Sequence, residues 1–185
     1  MNRDKIKADI RAHEGTIDHF YLDTRGNVTV GVGQLVATVA FAQTLPLIDR
    51  ASGQPASAEA IAAEFANVAA QAPGLIASRY RPFTQLALPA AAIEQLLEQR
   101  VDEFVRDLGG KLDDFERFPD PAQEALMDMA FNLGVGGLTR KFPKLIGAAQ
   151  RQDWGSCAAE CDRRGINDER NAATRALFQR AAGTA

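Results

Sequence analysis

Between Pro89 and the pair Gly109-Gly110, the apolar residues Ile93, Leu96, Leu97, Val101, Phe104, Val105 and Leu108 recur at spacings of mainly three and four. That period lays them along one face of a helix several turns long. Pro89 suits the first turn, where the amide it lacks would be unpaired anyway, and the paired glycines end the helix. A helix of this length can carry a lobe at each end. The chain of 185 residues therefore fits one domain, or two lobes sharing this helix. With 46% apolar and 24% charged residues it can bury a core without staples.

A second helical signal lies in "PDPAQEALMDMAFNLG". Asp120 is the expected N-cap, Pro121 the first helical residue, and Gln123 the closing member of a capping box. Leu126, Met127, Ala130, Phe131 and Leu133 make this helix apolar nearly all round, as in the core of a C-terminal lobe. Shorter helices are expected at about 143–150, 152–163 and 168–181, the last capped by Asp168. At the other end, Ile6 and Ile10 mark a first helix from about Asn2 to His13, stopped at Gly15. The segment "FYLDTRGNVTVGVG" then reads as a hairpin turning at "TRGN", with Val28, Val30 and Val32 on one face and Thr29 and Gly31 on the other. From Leu35 to about Tyr80 the chain is alanine-rich. A loop is expected over Asp49 to Ser57, and a helix capped by Ser57 after it. Cys157 and Cys161 are four apart and without nearby histidines, which suits small core residues better than a disulfide or a zinc site.

The charge balance narrows the function. Net charge is −3 with no basic run, so electrostatic capture of nucleic acid or of an anionic membrane is not supported. No window reaches the ~18 apolar residues of a membrane span, and the charged amphipathic N-terminus is not a secretory signal. His13 and His19 have no cluster around them and are expected as surface or cap residues rather than metal ligands.

"HEGTIDHFYLDTRGNVTVGVGQLV", residues 13 to 36, is the stretch with chemistry in it. Glycoside hydrolysis uses a protonated carboxyl to feed the leaving oxygen and an ionised one to direct water or attack carbon. Glu14 ends a helix, Asp23 enters a hairpin nine residues later, and Thr29 follows on the returning strand with a hydroxyl that can share a water with Asp23. Gly31 and Gly33 let a sugar ring approach the backbone. Taken singly, each residue has a plainer reading: Glu14 as a solvated helix end, Asp23 as a turn former, Thr29 as a strand former, the glycines as a bulge.

These residues, at these spacings and before a G-x-G, resemble the active-site segment of phage-type lysozymes, the T-even bacteriophage lysozyme family (glycoside hydrolase family 24). The resemblance continues through "ALMDMAFNLGVGGLTRKFPKL", "QRQDWGSCAAE" with Trp154, and "DERNAATRALF". It implies Glu14, Asp23 and Thr29 as catalytic residues, and Leu35, Phe131 and Asn132 along the saccharide site, with Phe131 equally suited to the core. It also implies an arginine from the C-terminal lobe against Glu14, for which Arg170 is the candidate and Arg175 the substitute. Two departures stand out. Gln34 replaces the histidine usual after the G-x-G, which in the family looks structural, and residues 37–85 match poorly.

The resulting expectation is an α+β, mainly helical, lysozyme-like two-lobe fold with a small N-terminal β-hairpin. Its N-terminal lobe spans about 14–88 with a helical insertion at about 37–85. The connecting helix covers about 89–108, and the C-terminal lobe about 109–185 plus helix 2–13. The implied activity is hydrolysis of the β-1,4 bond between N-acetylmuramic acid and N-acetylglucosamine in peptidoglycan, by a monomer, with inversion and without cofactor or metal. Retention with Asp23 as nucleophile is the competing mechanism, and carboxyl separation distinguishes the two. The implied partners are peptidoglycan glycan strands and, in an effector setting, an immunity or inhibitor protein. The chain is expected in the cytoplasm until it is released or delivered to the wall. A non-catalytic wall-binding module is the alternative from another class.

Overall fold

The computed structural model describes residues 1–183 and is α+β, mainly helical. Two compact units divide the chain: Arg11–Gln99, and Met1–Ile10 together with the chain from Arg100 onward. The boundaries fall within α1 (Arg3–Glu14) and within the long helix Ala90–Gly109.

In the unit Arg11–Gln99, β1 (Ile17–Leu22), β2 (Val28–Gly31) and β3 (Gln34–Leu35) form an antiparallel sheet in that order. Tyr21 pairs with Thr29 and Leu22 with Val28 across the first turn, and Val30 pairs with Gln34 across the second. The expected hairpin thus gains a third strand. Gly31 and Gly33 sit at φ +69° and +72°, a region that strains other residues, so the second turn needs them on backbone grounds. Val32 falls in that turn rather than on the strand face expected for it, and the four residues of β2 are all buried.

A short helix α2 (Val39–Ala42) leads to β4 (Ile48–Asp49), α3 (Ala58–Ala69), a 3-10 turn (Ala77–Phe83) and β5 (Leu86–Ala87). Ser57 caps α3, its Oγ accepting from the Ala60 amide at 3.2 Å. The stretch 37–85, expected as a helical insertion with a loop over Asp49 to Ser57, also carries a strand. β4 pairs with β5 through Ile48↔Ala87 and Asp49↔Leu86, and Ile48 bridges back to Pro55, so the expected loop from Asp49 starts inside a sheet. α3 lies on the first sheet, where Phe20 meets Phe65 edge-on at 6.2 Å, and Leu22, Val30, Ile61, Val68, Tyr80 and Ile93 share one core. His19 is buried, against the surface expectation. Its Nδ1 meets Asp18 at 3.0 Å and its Nε2 the Ala77 carbonyl at 3.1 Å, while Arg50 grips Asp18 through both terminal nitrogens.

The helix Ala90–Gly109 (α4) confirms the opening stripe: Ile93, Leu97, Val101, Phe104 and Leu108 are buried. In the second unit α5 (Asp120–Leu133) is the central helix, with Ala125, Leu126, Met127, Met129 and Ala130 fully buried. Around it come α6 (Val135–Lys141), α7 (Pro143–Gln150), α8 (Trp154–Glu160) and α9 (Asp168–Ala182). α6 was absent from the sequence expectation, and α8 is shorter than expected. Trp154 opens α8 and is buried, its ring 5.0 Å from Phe118. Cys157 and Cys161 are buried free thiols, and burial above all pushes the Cys157 thiol up to about 12.

Two helix starts differ from expectation. No side chain caps α5. Asp120 is already helical and binds the Met1 amino group at 2.7 Å, and Gln123 donates instead to the Phe115 and Phe118 carbonyls. The expected capping box gives way because those carbonyls are buried acceptors that need a donor. At α9 the cap is Asn167, one residue before Asp168. Its Oδ1 accepts from the Arg170 amide at 2.7 Å. Asn167→Ala is expected to cost about 1 kcal/mol, read as a lower urea midpoint at unchanged slope. No helix among the described residues is long and apolar enough to cross a membrane.

Candidate active site

Glu14 is the last residue of α1 and is exposed. The helix stops there because Gly15 takes φ +74° while its amide still reaches the Arg11 carbonyl at 2.9 Å. Arg11, one turn earlier, pairs with Glu94 of α4.

Asp23 opens the β1–β2 turn and organises it. Its Oδ1 accepts from the Arg25 and Asn27 amides at 2.8 Å each, and its Oδ2 from Asn27 Nδ2 at 3.0 Å. The plainer turn-forming reading of Asp23 is thus realised. It does not use up the side chain, since Oδ1 has two donors and Oδ2 one, which leaves Oδ2 an acceptor site. Burial disfavours the ionised form of Asp23, but the hydrogen bonds from Asn27 and Arg25 outweigh it and hold the carboxyl below its ordinary range.

Thr29, on β2, is 4% exposed and donates its hydroxyl hydrogen to the Asn27 carbonyl at 3.1 Å. Its oxygen is thereby left as an acceptor. Asn27 is the joint of the arrangement: amide and side chain hold Asp23, and carbonyl holds Thr29. A water donating to both Asp23 Oδ2 and Thr29 Oγ1 would meet two acceptors set by one residue. Sequence reasoning passed over Asn27 as a turn residue, although an Asn four positions after an Asp in a tight turn is the signal for such a bond.

Tyr21, facing Thr29 across the ladder, was also missed. Its phenol is pushed up to about 12, first by burial and then by the negative charges of Glu14 and Asp23. One hydroxyl is therefore within electrostatic reach of both carboxyls, and it stays protonated at neutral pH. Leu35, the other ladder neighbour of Thr29, is 48% exposed. Gly31 and Gly33 lie in the adjoining turn, where an added Cβ at Gly31 would meet Ile93 at 3.7 Å and one at Gly33 would meet nothing.

Phe131, Asn132 and Arg170 belong to the other unit. Phe131 is half-buried with its ring 4.5 Å from Phe104, so the core role holds for much of its surface. Asn132 is half-buried near the end of α5. Arg170 is mostly buried and binds Asp128, at 2.9 Å through Nε and 2.7 Å through Nη2. Asp128 also accepts from Arg163 at 2.7 Å and Thr174 at 2.9 Å. The substitute, Arg175, pairs with Asp162. Asp128 escaped sequence reasoning, although an acid inside "ALMDMAFN" is a visible break in an apolar helix. Among the described residues no group of three or more His, Cys, Asp or Glu side chains is placed to hold a metal. No protein-family model matches the chain, and neither does any curated protein sequence.

Proposed function

We propose that the chain is a glycoside hydrolase acting as a muramidase on peptidoglycan. The observation that carries this reading is the joint around Asn27, which supports Asp23 and Thr29 as a water-orienting pair beside a tyrosine that feels Glu14 as well. In this reading Glu14 donates its proton to the oxygen between N-acetylmuramic acid and N-acetylglucosamine. A water held by Asp23 Oδ2 and Thr29 Oγ1 gives a proton to Asp23 and attacks the anomeric carbon from the opposite face, inverting it. Leu35, exposed beside Thr29 on the ladder, contacts the saccharide. The lysozyme-like two-lobe arrangement belongs to the same proposal. Net charge −3 offers no long-range attraction to an anionic wall, which favours a chain delivered to its substrate, as a released endolysin or as a secreted effector.

Product analysis tests this directly. Purified peptidoglycan incubated with the chain should yield muropeptides with reducing-end N-acetylmuramic acid, identified by mass spectrometry. Anhydro-muramic products would overturn the water-activating role of Asp23. Binding to peptidoglycan with no cleavage would overturn the enzyme reading in favour of a wall-binding module.

A further inference from the structure

A groove of about 480 Å³ lies within the unit Arg11–Gln99, between the end of β4, one face of α3 and the segment leading into β5. Its volume is in the range of small-ligand sites. It is formed by the stretch 37–85 and the strand after it, and contains none of Glu14, Asp23 or Thr29.

The lining has a definite chemistry. Gln54, Asn67 and Gln85 supply amides, Ser52 a hydroxyl, and Phe83 an aromatic ring that stays 38% exposed. Ala60 and Ala63 leave the α3 wall low. The wall also holds Glu64, which is only 8% exposed. Its Oε2 is fully occupied, accepting from the Gln85 amide and from the Leu86 amide at 2.9 Å. Its Oε1 has no hydrogen-bond partner. Most buried carboxylate oxygens are satisfied, so an unpartnered one in a groove wall points to a donor supplied by a ligand. Among the described residues no Lys, Arg or His lines the groove, although Arg50 behind the wall lies within electrostatic reach of Glu64, and Asp49 adds a second acid to the rim. Anions are therefore disfavoured, and a molecule bearing many hydroxyl and amide donors with one apolar face fits.

We infer that this groove is a non-catalytic binding site for an uncharged glycan, with Phe83 under the sugar face and Glu64, Asn67 and Gln85 on its hydroxyl and acetamido groups. Such a site holds the chain on a polysaccharide by short-range contacts, in place of the long-range attraction its net charge denies it. The inference does not depend on Glu14, Asp23 and Thr29 being catalytic.

The test is a titration of the ¹⁵N-labelled full chain with the β-1,4-linked tetrasaccharide of N-acetylglucosamine, followed by amide shifts. Shifts centred on Ser52, Asn67 and Gln85, distinct from any at 14–35, are expected. Phe83→Ala and Gln85→Ala alter exposed side chains and should leave melting unchanged while weakening this site by roughly tenfold each. Glu64→Gln keeps the shape but changes an acceptor, and serves as the second variant, interpreted only if its melting matches wild type. Shifts confined to 14–35, or affinity at the groove unaltered in both surface variants, would overturn the inference. Tighter binding of the sulfated tetrasaccharide would overturn its exclusion of anions.

Discussion

Glu14→Gln should lower the rate of peptidoglycan cleavage by about 10²–10⁴-fold, the range over which a positioned general acid contributes. The substitution keeps the size of the side chain but replaces its ionisable carboxyl by an amide that has no acidic proton to donate. Glu14 is exposed at the end of α1, so melting and circular dichroism should match wild type. The loss should fall on kcat more than on KM, because the proton moves only in the transition state. Asp23 adds a pH signature. Its carboxyl is held below the ordinary range chiefly by Asn27 and Arg25 against the opposing effect of burial, so the base stays ionised as pH falls through about 4. The acid limb of the rate profile should lie below that value and move up in Asn27→Ala. A Glu14→Gln variant that retains wild-type rate would remove Glu14 from the chemistry.

The second large effect concerns stability. Asp128→Asn should destabilise the chain by about 3–5 kcal/mol, because it removes the carboxylate that pairs with the buried guanidinium of Arg163 and that also binds Arg170. For a chain of this size that corresponds to a fall in Tm of about 10 °C, measurable by calorimetry. The same carboxylate makes stability depend on pH. Burial raises the Asp128 pKa, but the charges and hydrogen bonds of Arg163 and Arg170 outweigh it, and the folded value lies below the unfolded one. Its contribution is therefore complete above about pH 4, where the unfolded carboxylate is ionised, and is lost as pH falls through the depressed folded value. Asp128→Asn should flatten the acid side of the stability profile. An unchanged profile would mean that the two guanidiniums are satisfied by other groups.

Legibility followed the range of the interactions. The stripe from Ile93 to Leu108, the apolar α5, the stop at Gly15 and the Ser57 cap were all readable, since each depends on residues within a turn or two of chain. The hairpin turn at 23–27 was readable for the same reason. Where a local rule competed with a distant partner, the distant partner won. His19, expected at the surface, was drawn inside where its ring meets the Ala77 carbonyl, fifty-eight residues on.

The candidate site divides along the same line. The residue types and spacings of Glu14, Asp23 and Thr29 are properties of the chain, and so is the resemblance built on them. The joint at Asn27 lies within the turn, whereas the reach of both carboxyls to Tyr21 required a folded sheet with Tyr21 set across from Thr29. The sequence alone therefore determined the longer helices, the first hairpin turn and which acids are available, because backbone hydrogen bonds and the 3.6-residue period act locally. Only the tertiary structure decided the β4–β5 pairing, the charge pairs on Asp128 and the groove around Glu64. Their partners lie far apart along the chain, and burial alone makes those contacts strong enough to matter.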